Sequence, residues 1–169
     1  LDGGQSWNSA ADGLLDVGSA RAPFITKIAK SQTAPDFLCA VGRDGVWRSF
    51  DFGGSWSLTA IPVETWGSVS SFHDVKISRA DPDVVWGGSR MDVSGQIHVS
   101  TDGGAVFTPV PNYTTVTMGG ISGLSTHPTQ PGTAYVLFSF ADRPKILRTT
   151  DYGANWTDIS GFAGSAPST

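Results

Sequence analysis

The sequence predicts an all-β fold built from repeated four-stranded units, and three observations support this prediction. A short motif, Asp-x-Gly-x-x-aromatic, occurs four times, with roughly 50 residues from one aspartate to the next. The segments between the motifs contain short runs in which apolar and polar residues alternate, as in half-buried β-strands. The 169 residues include 21 Gly and 10 Pro, which is typical of many strands joined by turns.

We call each copy of the motif a box and number the boxes one to four along the chain. Their aspartate, glycine and aromatic residues are Asp2, Gly4 and Trp7; Asp51, Gly53 and Trp56; Asp102, Gly104 and Phe107; and Asp151, Gly153 and Trp156. A hydroxyl residue stands two positions before each of the last three aspartates, as Ser49, Ser100 and Thr149. Four copies in register along one chain indicate a repeat protein.

Each residue type in a box suits a tight turn between two strands. The aspartate can accept hydrogen bonds from N–H groups of its own turn, and the glycine can adopt a positive φ without strain. The aromatic ring packs against the turn and buries about 150–250 Å². A calcium site is the alternative, but a calcium-binding helix-loop-helix needs several oxygen ligands, whereas each box offers one carboxylate. The boxes are therefore interpreted as structural, and no metal or cofactor is predicted.

Each repeat contains three predicted strands before its box and a fourth that begins at the box aromatic. The inner strands are predicted at 24–29, 72–77 and 120–124, the second strands at 36–41, 83–86 and 133–138, and the third strands at 45–49, 95–100 and 145–149. Four antiparallel strands in about 50 residues are typical of a β-propeller blade. The chain then divides into the last strand of a preceding blade at 1–15 and three blades at 16–64, 65–114 and 115–169.

The predicted number of blades indicates that this chain needs further blades to complete a propeller. Closed propellers typically have about 4–8 blades, and three cannot close into a ring. The open ends would leave strand edges that invite pairing with another chain. We therefore expect the remaining blades of a larger propeller, supplied by the same polypeptide or by an assembly of copies.

The boxes resemble the Asp-box (BNR) repeat, Ser/Thr-x-Asp-x-Gly-x-x-Trp, of the sialidase-like propeller superfamily. This superfamily includes xyloglucan-cleaving glycosidases, sortilin-type receptors that bind peptides and a photosystem assembly factor. The resemblance implies a secreted or cell-surface protein. It does not imply catalysis, because the same scaffold hosts hydrolases and binding proteins. The third box departs from the pattern with Phe107 in place of Trp, and no Arg-Ile-Pro motif opens the chain.

Ligands of propellers usually bind at the mouth of the central channel, on loops that lead into the inner strands. The binding candidates there are Trp66, whose ring could stack on a sugar, and His73 beside Asp74, whose carboxylate could orient the imidazole. The structural alternatives are packing for Trp66 and opposite orientation for two neighbours on a strand. The acidic residues considered for a catalytic pair are Glu64, Asp74, Asp92 and Asp142, and nothing in the sequence pairs them. Catalytic residues are therefore left unassigned.

Composition narrows the function classes further. A net charge of −4 argues against a nucleic-acid partner, and no apolar run approaches the roughly 18 residues of a membrane span. The single cysteine, Cys39, lies in an apolar run and is expected to be a small core residue. We expect a binding or scaffold propeller that recognises glycan or protein through its mouth loops. The alternative is part of a glycoside hydrolase whose catalytic carboxylates lie partly outside this chain.

Overall fold

The computed structural model describes residues 4–16, 23, 25–68, 73–113, 118–138 and 146–161. Three units of four antiparallel strands follow one another along the chain, as predicted. The first blade contains β1 (Ile28–Lys30), β2 (Leu38–Gly42), β3 (Gly45–Ser49) and β4 (Ser57–Ala60). The second contains β5 (Asp74–Ile77), β6 (Val85–Asp92), β7 (Gly95–Ser100) and β8 (Thr108–Pro109). The third contains β9 (Gly119–Thr126), β10 (Ala134–Phe138), β11 (Ile146–Thr149) and β12 (Thr157–Asp158).

Within each blade the strands are hydrogen-bonded in chain order, so every connection is a simple hairpin. The second and third blades are also joined edge to edge, because Arg90 and Met91 of β6 pair with Gly120 and Gly119 of β9. Strand β6 reaches its neighbour by continuing past an irregularity in its pairing with β7 that begins at Gly88. Gly88 has φ +151, and a Cβ there would lie 2.5 Å from the carbonyl oxygen of Gln96. A side chain at this position would therefore displace the neighbouring backbone.

The apolar core lies between adjacent blades. One buried cluster joins the first and second blades, and another joins the second and third. Neighbouring residues of the second blade serve both clusters, since Val85 packs in the first cluster whereas Val84 and Trp86 pack in the second. Consecutive residues of a strand point to opposite faces of the sheet, so one blade can cover two neighbours. Each blade is thus stabilised by the blades beside it.

Cys39 is fully buried in the first cluster, in agreement with the sequence-based expectation. Burial raises the pKa of its thiol to about 12, and the charge of Arg48 offsets only part of that rise. The thiol is therefore held in its neutral, unreactive form at neutral pH.

One helix was not predicted. A single turn, α1 (Val63–Trp66), follows Pro62 in the connection between the first and second blades. No helix among the described ranges is long and apolar enough to cross a membrane.

Candidate functional site: the box turns and the entry to the inner strands

The second, third and fourth boxes lie in the hairpins between the third and fourth strands of their blades, where the sequence analysis placed them. Residue Asp2 of the first box lies outside the described residues. In the second box, the Ser49 hydroxyl donates to Asp51 Oδ1 at 2.8 Å and accepts from the Gly53 N–H at 2.8 Å. Asp51 Oδ1 also accepts from the Ser55 N–H at 2.8 Å. The buried hydroxyl therefore connects the aspartate to the glycine.

The third and fourth boxes repeat this network. Ser100 Oγ donates to Asp102 Oδ1 at 2.6 Å and accepts from the Gly104 N–H at 2.8 Å. In the fourth box, Thr149 Oγ1 donates to Asp151 Oδ1 at 2.8 Å and accepts from the Gly153 N–H at 2.9 Å. The hydroxyl residue, which the sequence analysis counted as part of the structural box, is thus fixed in the turn by its hydrogen bonds to the aspartate and the glycine.

The hydrogen bonds within the second, third and fourth boxes lower the pKa of their aspartates. The pKa of Asp51 falls to about 2, mainly because the Ser55 hydroxyl and N–H donate to it. The pKa of Asp102 falls through the Ser100 hydroxyl first, and that of Asp151 through the Asn155 amide first. These carboxylates are charged at neutral pH and are occupied by donors of their own turns. Across the described residues, no group of three or more His, Cys, Asp or Glu side chains is arranged to hold a metal ion.

Backbone conformation explains the box glycines and reveals a feature that the sequence analysis missed. Gly53 and Gly153 have φ +89 and +87, as expected for the third position of the turn. The residue before each also lies in the left-handed region, with φ +57 at Phe52 and +58 at Tyr152. A non-glycine residue rarely adopts such a φ, and only the surrounding hydrogen bonds and contacts can hold it there.

The box hydroxyl provides a direct test of this turn. Replacing Ser100 with alanine leaves the buried Gly104 N–H without its partner and removes a donor to Asp102. We expect the free energy of unfolding to fall by about 1–3 kcal/mol, as measured by urea denaturation. Ser100→Thr keeps the hydroxyl and is expected to retain most of the stability. Ser57→Ala, on an exposed position of β4, is the matched control; an equal loss for both alanine variants would contradict the role of the hydroxyl.

Trp66 lies in the interior, which corrects the expectation that its ring could stack on a sugar. The residue is fully buried, and the ring lies between the imidazoles of His73 and His98, with centroid distances of 4.8 and 5.9 Å. Its Nε1 donates to the Gly42 carbonyl oxygen at 3.2 Å. The indole therefore has no free face for a ligand, and it instead fixes α1 against the first two blades.

The two buried histidines hold the same helix. His73 Nε2 lies 3.1 Å from the Trp66 carbonyl oxygen, and His98 Nε2 lies 3.0 Å from Thr65 Oγ1. Burial lowers the pKa of His98 to about 4, and the neighbouring His73 adds to this effect. His98 is therefore neutral at pH 7. No signal in the sequence placed His98 beside Trp66.

Asp74 has different partners from His73. Its Oδ1 accepts from Lys76 Nζ at 2.9 Å and from the Val75 N–H at 2.9 Å, and its Oδ2 lies 3.7 Å from Lys27 Nζ. The Asp74 side chain is only 4% exposed, whereas those of Lys27 and Lys76 are 34% and 37% exposed. A nearly buried carboxylate thus holds two partly exposed cations where the chain enters β5.

Another ion pair between a carboxylate and a partly exposed cation lies on the neighbouring strand, β6. Register places Asp74 opposite Gly88, two residues before Arg90 on β6. Arg90 Nε lies 3.2 Å from Asp92 Oδ2, as an ion pair without hydrogen-bond alignment, and Asp92 also accepts from the Ser94 N–H and hydroxyl. We call Lys27, Lys76 and Arg90, with Asp74 and Asp92, the cation rim. Its three cations are positioned by carboxylates yet remain accessible to acceptor groups of a ligand.

An open cleft of about 220 Å³ lies beside the second box. It is lined by Arg48, Phe50, Asp51, Ser55, Trp56 and Ser57. Its main polar groups are already engaged, because Asp51 accepts from its own turn and Arg48 Nη1 donates to the Gly103 carbonyl oxygen at 3.3 Å. The cleft therefore lies on the first blade, and Arg48 links one side of it to the second blade.

Solved structures with the same fold include GH74 enzymes and YCF48. A GH74 xyloglucanase from Xanthomonas campestris matches at a TM-score of 0.61 and 19% identity, over 79% of this chain and 23% of that one. The GH74 enzyme from Niastella koreensis matches at 0.59 and 16%, over 78% and 22%. YCF48 from Cyanidioschyzon merolae matches at 0.56 and 21%, over 82% and 36%.

The comparisons establish the fold alone. Identities of this size are too low to carry an activity from one protein to another. The chain spans between 22% and 36% of the length of these three structures. It matches no family model and no curated protein. Because its fold matches that of the three solved structures, the chain is a set of β-propeller blades.

Proposed function

We propose that these blades belong to a larger β-propeller of the Asp-box repeat superfamily, which binds glycan or protein as a recognition or scaffold unit. The box network, repeated in three described turns, supports membership of that superfamily. A secreted or cell-surface location follows from the resemblance and is part of the same proposal. Propellers of this kind present their ligand sites at the channel mouth, where the inner strands begin.

The cation rim is the observation that carries the binding function. Long cationic side chains lose considerable conformational freedom when they bind a ligand. Lys76 and Lys27 are already held by Asp74, and Arg90 by Asp92, so part of that cost is met before binding. The exposed ammonium and guanidinium groups can donate to hydroxyl, carbonyl or carboxylate oxygens of a glycan or a protein. In this proposal Trp66 and His73 position the entry loop, and Asp74 positions the cations.

The alternative function is part of a glycoside hydrolase, and it rests on the similarity to the GH74 enzymes. A glycosidase needs two carboxyl groups facing each other across the bound sugar. Asp74 and Asp92 are both engaged in ion pairs and backbone hydrogen bonds, and Glu64 lies on the exposed surface of α1. The contacts of Asp74 and Asp92 favour a positioning role for these two side chains, and hence binding over catalysis, whereas Asp142 lies outside the described residues.

A paired binding and activity assay tests this proposal. The chain is titrated with xyloglucan oligosaccharides and with oligogalacturonates by calorimetry, and reducing-sugar release is followed in the same solutions. We expect binding to at least one glycan, a loss of about tenfold or more for Lys76→Met, and no release of reducing ends. Lys76→Met keeps the apolar stem, and Lys30→Met, at an exposed position of β1, is the matched control. Release of reducing ends would favour the hydrolase, whereas equal binding by both variants would remove the cation rim from the site.

A further inference from the structure

One contact recurs at every junction between units. The residue eight positions after a box aspartate lies against the glycine of the next box. The pairs are Ala10 with Gly53, Thr59 with Gly104, and Val110 with Gly153. A Cβ added at Gly53 would lie 3.5 Å from Ala10 Cβ, and one added at Gly153 would lie 2.5 Å from Val110 Cγ1. The positive φ favours glycine at both positions, and at Gly153 the close approach of Val110 also leaves no room for a side chain.

The counterpart of Thr59 and Val110 in the third blade is Ile159. Thr59 pairs with Val46, the Val110 N–H donates to the Ile97 carbonyl oxygen at 2.8 Å, and the Ile159 N–H donates to the Ile146 carbonyl oxygen at 3.0 Å. These three pairings have the same register relative to their boxes. Ile159 therefore occupies the position that contacts the glycine of a following box.

The equivalent side chains are more exposed in the third blade than in the first two. Thr59 and Val110 are 9% and 3% exposed, whereas Ile159 is 39% exposed. Leu137 pairs with Ile146 as Val41 pairs with Val46, yet Leu137 is 38% exposed and Val41 is 2% exposed. The positions that a following blade covers in the first two blades are uncovered in the third.

Arg148 and Tyr135, on the same face of the third blade, also match residues that contact the following box in the first two blades. Arg148 is the counterpart of Arg48, which donates to the Gly103 carbonyl oxygen of the following box, and Arg148 is exposed. Tyr135 pairs with Arg148 as Trp86 pairs with Val99. Trp86 contacts Trp156, the aromatic residue of the following box, in an edge-to-face arrangement with ring centroids 6.3 Å apart.

We propose that the face formed by Tyr135, Leu137, Arg148 and Ile159, which we call the third-blade face, binds a further blade that carries a box. The inference rests on the proposed function, in that the chain is taken as part of a larger propeller. The box glycine of the incoming blade lies against Ile159, its aromatic ring lies against Tyr135, and a backbone carbonyl of its turn accepts from Arg148. This arrangement continues the contacts that already join the three blades.

A fused chain tests the proposal. Residues 1–159 are followed directly by a second copy of residues 111–161, so that the new junction repeats the Val110–Pro111 junction of the natural chain. Ile159→Asp is introduced into the fused chain and into the natural chain, and unfolding by urea is measured for all four proteins. We expect Ile159→Asp to lower the folding equilibrium constant of the fused chain about 30-fold or more, and that of the natural chain less than about threefold.

Two controls keep the test decisive. Val93→Asp changes a 94% exposed valine at the turn between β6 and β7, and it is expected to affect neither chain. Val110→Asp, at a covered position, is expected to destabilise both. Equal effects of Ile159→Asp on the two chains would overturn the proposal, as would a loss in the natural chain as large as that of Val110→Asp. Because the readout is stability without ligand, failure here with glycan binding intact removes only the blade interface.

Discussion

Replacing Trp66 with alanine is expected to lower the free energy of unfolding by about 3–5 kcal/mol. The indole is fully buried in the cluster between the first two blades and is in contact with both buried histidines. Its removal leaves a cavity and deprives the Gly42 carbonyl oxygen of its donor. Urea denaturation followed by far-ultraviolet circular dichroism measures the change without relying on tryptophan emission.

The control for this change is Trp7→Ala. Trp7, the aromatic residue of the first box, is 88% exposed, which corrects the expectation that it packs against its turn. Its truncation is therefore expected to alter the free energy of unfolding by less than about 0.5 kcal/mol. A similarly small loss for Trp66→Ala would show that α1 is not anchored by the indole, and it would reopen Trp66 as a surface residue for ligands.

Lowering the pH from about 6.5 to about 4 is expected to destabilise the chain through His98, by an amount on the order of 3 kcal/mol. The folded-state pKa lies below the value of about 6.5 in the unfolded chain, so the unfolded state binds the proton first as the pH falls. The stabilising contribution is therefore complete above pH 6.5 and is lost as the pH falls through 4. His73, Thr65 and the edge of Trp66 lie next to this imidazole, and none of them offers a compensating negative charge.

The measurement is urea denaturation at a series of pH values for the natural chain, His98→Gln and His127→Gln. His98→Gln is expected to be less stable at pH 7 and to lose less stability between pH 6.5 and 4. His127→Gln, which alters a partly exposed histidine at a turn, is expected to follow the natural chain. The box aspartates act at lower pH, since the pKa of Asp51 is lowered from 3.8 to about 2. If the stability of His98→Gln depended on pH in the same way as that of the natural chain, the loss of stability between pH 6.5 and 4 would not arise from His98.

The sequence was sufficient to predict the blades because the information that specifies them is local. A box closes its own turn through residues within four positions of its aspartate, such as Ser49 and Ser55 around Asp51. Period-two alternation likewise specifies strands without reference to the rest of the chain. The predicted third strands at 45–49 and 95–100 coincide with β3 and β7 for this reason.

The candidate site was predicted less well because its geometry depends on distant residues. Trp66 reads as a loop aromatic, and its burial arises from Gly42, His73 and His98, which lie in both neighbouring blades. The ion pair between Lys27 and Asp74 likewise joins residues from two blades. No short motif reports such contacts, since they follow from how one blade packs on the next.

The central claim is that these blades belong to a larger propeller in which every box glycine packs against the preceding blade. A crystal structure of the propeller that contains these blades tests this claim most directly. We predict a closed ring of about 4–8 blades, with the glycine of a box in van der Waals contact with Ile159. A third-blade face that is open to solvent, or covered by an element without a box, would contradict this claim.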